Sequence, residues 1–210
     1  MITEKNREAV KAEISKILNS IGALQFGTFK LTSGKISPYY IDLRIVPSFP
    51  DAFKKVSNFY VNFIRNDIGL ENFERVAGIP VAGIPFASLI AYSLTKPFLY
   101  VRKGARLHGR QRRIEGVLSP GDRVLLIDDL ITTGLSLRQA AKAIVAEGGI
   151  VHDVVVLLDR EEGGKENLEK NGIKLHALLK IDEIVTDLRE IGAIDEEQLK
   201  TILKQIKKRD

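Results

Sequence analysis

The chain contains no cysteine among its 210 residues, which excludes disulfides and thiol catalysis alike. No apolar run approaches the roughly 18 residues that a membrane-spanning helix requires. The opening MITEKNREAVK is charged and amphipathic where a signal sequence would be apolar. A cytoplasmic protein without membrane contact is the expectation. No GxxxxGK[ST] string occurs and no GxGxxG opens a helix, which removes the Walker phosphate loop and the dinucleotide-binding fingerprint. Internal repeats and low-complexity linkers are missing too. Methionine occurs once, and with many Lys and Glu the composition leans toward a heat-tolerant source.

What is present suits one generous domain. Hydrophobic residues make up 44% and charged residues 28%, with a net charge of +5. The cations are unevenly spread. Arg102, Lys103, Arg106, Arg110, Arg112 and Arg113 fall in one short stretch that has no acid. Such a block attracts nucleic acid, an anionic membrane surface or a phosphorylated small molecule. No helix-turn-helix extension precedes residue 20, and the cations lie beside the predicted ligand crevice instead of on a separate face, so no nucleic-acid partner is expected.

Apolar spacing predicts a helix over 4–19, short strands over 23–31 and 38–45, and a helix opening at Pro50-Asp51. From there strands and helices alternate. Strands are predicted at Arg75–Gly78, Phe98–Arg102, Arg123–Ile127, Val151–Leu158 and Ile173–Leu179. Helices are predicted at 83–95, 137–147 and near 165–171, with two amphipathic helices at 181–191 and 195–208. This rhythm predicts an α/β fold, a mostly parallel central sheet with helices on both faces. A single structural unit is expected: residues 1–48 as an N-terminal cap or hood, 49–180 as the α/β core, and 181–210 as helices packed on it.

Residues 124–137, VLLIDDLITTGLSL, carry the chemistry. A buried strand ends in Asp128 and Asp129. A small polar turn, Thr132-Thr133-Gly134-Leu135-Ser136, then runs into a helix. In an open parallel sheet the ligand crevice lies outside the carboxyl ends of the strands. A turn of Gly, Thr and Ser there presents backbone N–H groups to an anion. Carboxylates beside it accept sugar hydroxyls and stabilise oxocarbenium character at an anomeric carbon. The pairing suits a sugar phosphate.

An apolar strand, two acids and a TTG-like loop together resemble the signature of the type I phosphoribosyltransferases, which bind phosphoribosyl diphosphate. That resemblance implies their fold and a donor site built from Asp128, Asp129, Leu130, Ile131, Thr132, Thr133, Gly134, Leu135 and Ser136. It also implies Mg2+ bound mainly through substrate, with no protein metal ligand. The turn Gly78-Ile79-Pro80-Val81-Ala82-Gly83-Ile84-Pro85 is similar to the family's diphosphate loop, which places Val81 and Ala82 at the leaving group.

The spacing R-K-x-x-R-x-H-G over 102–109 sharpens the likeness to the orotate phosphoribosyltransferase branch. There a cationic flap reaches into the neighbouring subunit, implying a homodimer whose 102–116 loop completes the partner's site. Arg102, Lys103, Arg106 and His108 would then grip diphosphate, with Asp128, Asp129, Arg106 and His108 as the catalytic set. FGTFKLTSGK over 26–35, followed by Ser37-Pro38-Tyr39-Tyr40, resembles the branch's cap. It places Tyr39 or Tyr40 against the base; either reads equally well as core. Arg160 would contact the carboxylate of orotate as a planar fork, and Thr132 the orotate ring. Many members carry Lys where this chain has Thr32, Ala82 and Arg106. Because Arg stays protonated, a proton-donating role at 106 is vacant or moves to His108. A purine or uracil phosphoribosyltransferase, or a nucleotide-sensing regulator of the same fold, remain alternatives.

Overall fold

The computed structural model describes residues 4–30, 34, 36–102, 104 and 113–207. Helix α1 (Glu4–Ser20) leads to an antiparallel hairpin of β1 (Leu24–Lys30) and β2 (Ile36–Ile41). A 3-10 turn (Leu43–Ser48) follows, then α2 (Pro50–Phe63) with its proline in the first turn, where a missing N–H costs nothing. The alternating part comprises β3 (Arg75–Gly78), α3 (Gly83–Leu94), β4 (Phe98–Val101), β5 (Ile114–Glu115), β6 (Val124–Ile131), α4 (Leu135–Ala146), β7 (Asp153–Asp159), α5 (Gly164–Glu169) and β8 (Lys174–Lys180). Helices α6 (Ile181–Glu190) and α7 (Glu196–Lys207) end it. Helix α6 packs on α1, and α7 rests on β2 of the hairpin.

Six strands form the central sheet in the order β5-β4-β3-β6-β7-β8, parallel except for β5 against β4. From β3 the chain moves outward to β4; from β6 it moves the other way to β7 and β8. The order therefore reverses between the neighbours β3 and β6, the position at which open α/β sheets hold ligands.

Both faces are covered. Val76, Leu125, Ile127, Val155 and Leu157 face the side packed by α1, α2, α3 and α6. Ala77, Leu99, Leu126, Val154 and Val156 face α4 and α5. This explains why β6 and β7 read as unbroken apolar runs, as buried parallel strands do.

Most elements shift by a residue or two from their sequence-based bounds, and three of the differences have an identifiable cause. The strand expected over 38–45 ends at Ile41, because the Asp42 carboxylate accepts the Arg44 N–H at 3.1 Å and starts the 3-10 turn. The strand expected to end at Ile127 runs on to Ile131. Its partner β3 stops at Gly78, but β7 keeps pairing as far as Ile131↔Asp159. The two acids thus sit inside a paired strand. Helix α4 starts at Leu135 instead of 137, since Gly134 at φ 73° turns the chain directly into it. The edge strand β5 was not expected at all; with two residues it carries no periodicity.

Candidate active site

At the switch between β3 and β6 lies a crevice of about 200 Å3, bounded by residues 80–82 and 128–137. Asp128 and Asp129 are each only 8% exposed, so their surroundings dictate their behaviour. The Asp128 carboxylate accepts the Asp129 N–H at 3.0 Å. On one side the start of α3 presses close. A Cβ on Gly83 would lie 2.6 Å from Asp128 Oδ1 and 2.8 Å from the Ile127 carbonyl oxygen, so only glycine fits there. From α2, the Tyr60 hydroxyl donates to the Asp128 carbonyl at 2.7 Å. The Leu157 N–H points at the same phenol oxygen. Burial, reinforced by both acids, lifts the Tyr60 pKa well above its usual value, so it stays a donor. Burial also raises the Asp129 carboxyl, opposed by backbone N–H groups and the field of Arg44. Hydroxyl donors from a ligand would relieve that desolvation.

Beyond the acids the backbone becomes the binding surface. No side chain caps α4, so its first N–H groups are left for an anion. Thr133, Leu135 and Ser136 are exposed, while Thr132 is half-buried. Leu130 and Ile131 pack their side chains against the two cores, and both line the crevice. Helix α5 braces the loop from below. A Cβ on Gly164 would lie 2.4 Å from the Thr132 carbonyl oxygen, and Asn167 Nδ2 donates to the Thr133 carbonyl at 3.1 Å. Opposite, Val81 is exposed and Ala82 half-buried, and the Pro80–Val81 peptide is cis.

Two residues from distant parts of the chain meet at the end of β7. The Arg160 guanidinium lies over the Tyr39 ring, 5.3 Å from its centroid, and pairs with Glu162 at 3.0 Å. Arg160 Nε and the Tyr39 hydroxyl are buried without a hydrogen-bond partner among the described residues. The Arg160 N–H donates to the Ile131 carbonyl at 3.1 Å, tying this corner to the phosphate loop. Tyr40 stacks on Phe29 at 5.8 Å and accepts from Arg44 at 3.1 Å. Of the two tyrosines left open by sequence, Tyr39 lies under Arg160 as a core residue, 1% exposed, and Tyr40 is half-buried.

The phosphoribosyl transferase domain model matches residues 50–189. The orotate phosphoribosyltransferase of Cenarchaeum symbiosum is 42% identical over 180 residues, 86% of this chain and 90% of that protein. This chain belongs to the orotate phosphoribosyltransferase family. Among solved structures, orotate phosphoribosyltransferase from Aeropyrum pernix superposes with a TM-score of 0.76 at 31% identity, covering 87% of this chain and 99% of that one. Leishmania donovani UMP synthase superposes with a TM-score of 0.84 at 32% identity, covering 96% of this chain and 43% of that one. The chain thus spans less than half of that larger protein.

In this phosphoribosyltransferase Arg102, the first cation of the basic stretch, lines a second cavity of about 260 Å3 sharing Pro80 and Ser136 with the crevice. Its guanidinium pairs with Glu115 at 3.0 Å. Thr32, Lys103, Arg106 and His108 lie outside the described residues. Among the described residues no group of three or more His, Cys, Asp or Glu side chains is placed to hold a metal, and no helix is long and apolar enough to cross a membrane. Sequence reading missed Arg44, Tyr60, Gly83 and Asn167 as parts of the site. Tyr60 and Gly83 looked like core and turn residues, and nothing local marks where a phenol oxygen ends up.

Proposed function

We propose that this phosphoribosyltransferase moves the 5-phosphoribosyl group of phosphoribosyl diphosphate onto orotate, giving orotidine 5′-monophosphate and diphosphate in pyrimidine biosynthesis, in the cytoplasm. The observation that carries this reading is the meeting of Asp128 and Asp129 with the uncapped start of α4 in one crevice. The N–H groups of residues 132–136 receive the 5-phosphate, and the two carboxylates accept the ribose hydroxyls. As orotate nitrogen bonds to the anomeric carbon and gives up its proton to solvent, the bond to diphosphate breaks and the oxygen leaves with its electron pair and takes up a proton. The carboxylates stabilise the positive charge that builds on the sugar meanwhile. Backbone groups at Val81 and Ala82, with Arg102, Lys103, Arg106 and His108, take up the charge of the departing diphosphate. Arg106 remains protonated, so His108 is the proton donor of that set. Arg160 forks the carboxylate of orotate, Tyr39 braces that guanidinium from the core, Tyr40 packs against the base, and Thr132 hydrogen-bonds the ring.

Two buried acids next to a phosphate cradle suit a divalent ion that keeps its waters and is held chiefly by substrate oxygens. Mg2+ bound with the donor would offset diphosphate charge. The flap is proposed to act across a homodimer, on the family likeness of residues 102–109.

Turnover with phosphoribosyl diphosphate and orotate, uracil, hypoxanthine or xanthine tests the reading. Product from orotate alone is expected. Product from uracil or a purine would reassign the acceptor. Retention of nucleic acid on a filter without any turnover would favour a regulator.

A further inference from the structure

The ladder between β6 and β7 skips one rung, and it does so at the acids. Pairs run Leu126↔Val154, Ile127↔Val155 and Asp128↔Val156, then resume at Leu130↔Leu158. Asp129 and Leu157 are left out of the series. Tyr60 reaches this gap from α2. Its ring is fully buried and sits against Phe86 at 6.0 Å, which in turn meets Phe53 edge-on at 5.4 Å. An aromatic stack between α2 and α3 therefore sets where the hydroxyl stands. That hydroxyl donates to the Asp128 carbonyl at 2.7 Å. From the other helix, Gly83 closes on the Asp128 side chain so tightly that no Cβ fits. The segment 127–129 is thus gripped at its carbonyl and at its carboxylate by different helices.

We propose that Tyr60 is a positioning residue for phosphoribosyl transfer, its hydroxyl fixing the Asp128 carbonyl at the skipped rung and so setting how the two carboxylates project into the crevice. The proposal rests on the reading that these acids seat the ribose. Backbone that leaves its ladder in a sheet interior must find other partners, and a phenol held by a rigid ring stack is one with little freedom to drift. Placement matters because a misplacement of about 1 Å in a reacting site can cost about a hundredfold in rate.

The test is Tyr60→Phe in the full chain, which removes one oxygen and keeps the ring. Steady-state kinetics with orotate and phosphoribosyl diphosphate should show kcat down about tenfold and the KM of the sugar donor raised severalfold, with the KM of orotate unchanged. Leu188→Ala serves as the stability control, because it removes buried volume on α6 and leaves the Phe53–Phe86–Tyr60 stack and its hydroxyl in place. At a comparable loss of melting temperature it should retain most of the turnover and the donor KM. Wild-type kinetics in Tyr60→Phe, or the same kinetic pattern in Leu188→Ala, would overturn the proposal. Failure of the wild-type protein to turn over orotate would instead bring down the reading of the site, and the proposal with it.

Discussion

The guanidinium of Arg160 covers the ring of Tyr39, bringing the end of β7 against the hairpin that caps the sheet. Neither the Arg160 Nε nor the Tyr39 hydroxyl has a hydrogen-bond partner among the described residues. A planar, carboxylate-bearing base placed here would meet a cationic fork held from behind by a buried aromatic ring.

Arg160→Ala should therefore weaken orotate far more than the sugar donor. Loss of a hydrogen bond between charged groups costs about 1.5–3 kcal/mol, so the KM for orotate should rise roughly 10- to 100-fold. Initial rates with each substrate varied in turn check it. Equal rises for both substrates would remove Arg160 from the acceptor site.

Asp129→Asn should slow the enzyme and stabilise the fold at once. Turnover should fall about a hundredfold, since a carboxylate facing the developing cation is lost. Burial raises the Asp129 pKa above its ordinary 3.8, so the folded state prefers the protonated acid. Stability linked to that preference is full below the ordinary value and is lost as pH rises through the higher folded value. At neutral pH the wild type carries this cost and the amide does not. Melting curves should place the variant above the wild type at pH 7, with the difference shrinking toward pH 3. A variant that melts below the wild type at pH 7 would contradict the buried-charge account.

Gly83→Ala introduces a methyl 2.6 Å from Asp128 Oδ1 and 2.8 Å from the Ile127 carbonyl oxygen. Something must move, and both neighbours belong to a strand gripped on its other edge by β7. Overpacking of this kind costs about 1–3 kcal/mol, which denaturant titration measures. Activity should fall further than stability, because Asp128 is the group displaced.

A flap that works across subunits predicts complementation. Asp129→Asn and Lys103→Ala chains, each nearly inactive alone, should recover roughly a quarter of wild-type activity when unfolded, mixed in equal amounts and refolded, as random pairing leaves one intact site in half of the dimers. No recovery would mean that each chain completes its own site.

Much of this site was legible because its signals are local. Two acids after an apolar run, followed by TTG and a helical pattern, place a crevice and a phosphate cradle without any knowledge of distant contacts. Arg160, at the end of the next strand, reads locally as a surface ion pair, and only the family likeness singled it out. What escaped depends on partners far away in sequence. Asp128 and Asp129 look like a strand terminus, yet the strand runs on past them because β7 outlasts β3. Tyr60 sits among apolar residues at helical spacing, and its oxygen matters only once α2 lies across β6. The choice between Tyr39 and Tyr40 needed the hairpin to be folded over Arg160. Residues 42–45 read as strand because the competing capping bond of Asp42 cannot be weighed from composition.

That the paired acids ride on a hydrogen-bonded strand has a consequence for energetics. Groups carried on loops must be frozen when a ligand arrives, and part of the binding free energy is consumed in doing so. Here that ordering is already complete when the chain folds, and only the solvent around two carboxylates has to be exchanged. A ribose seated there would meet acceptors already held in place by a central strand.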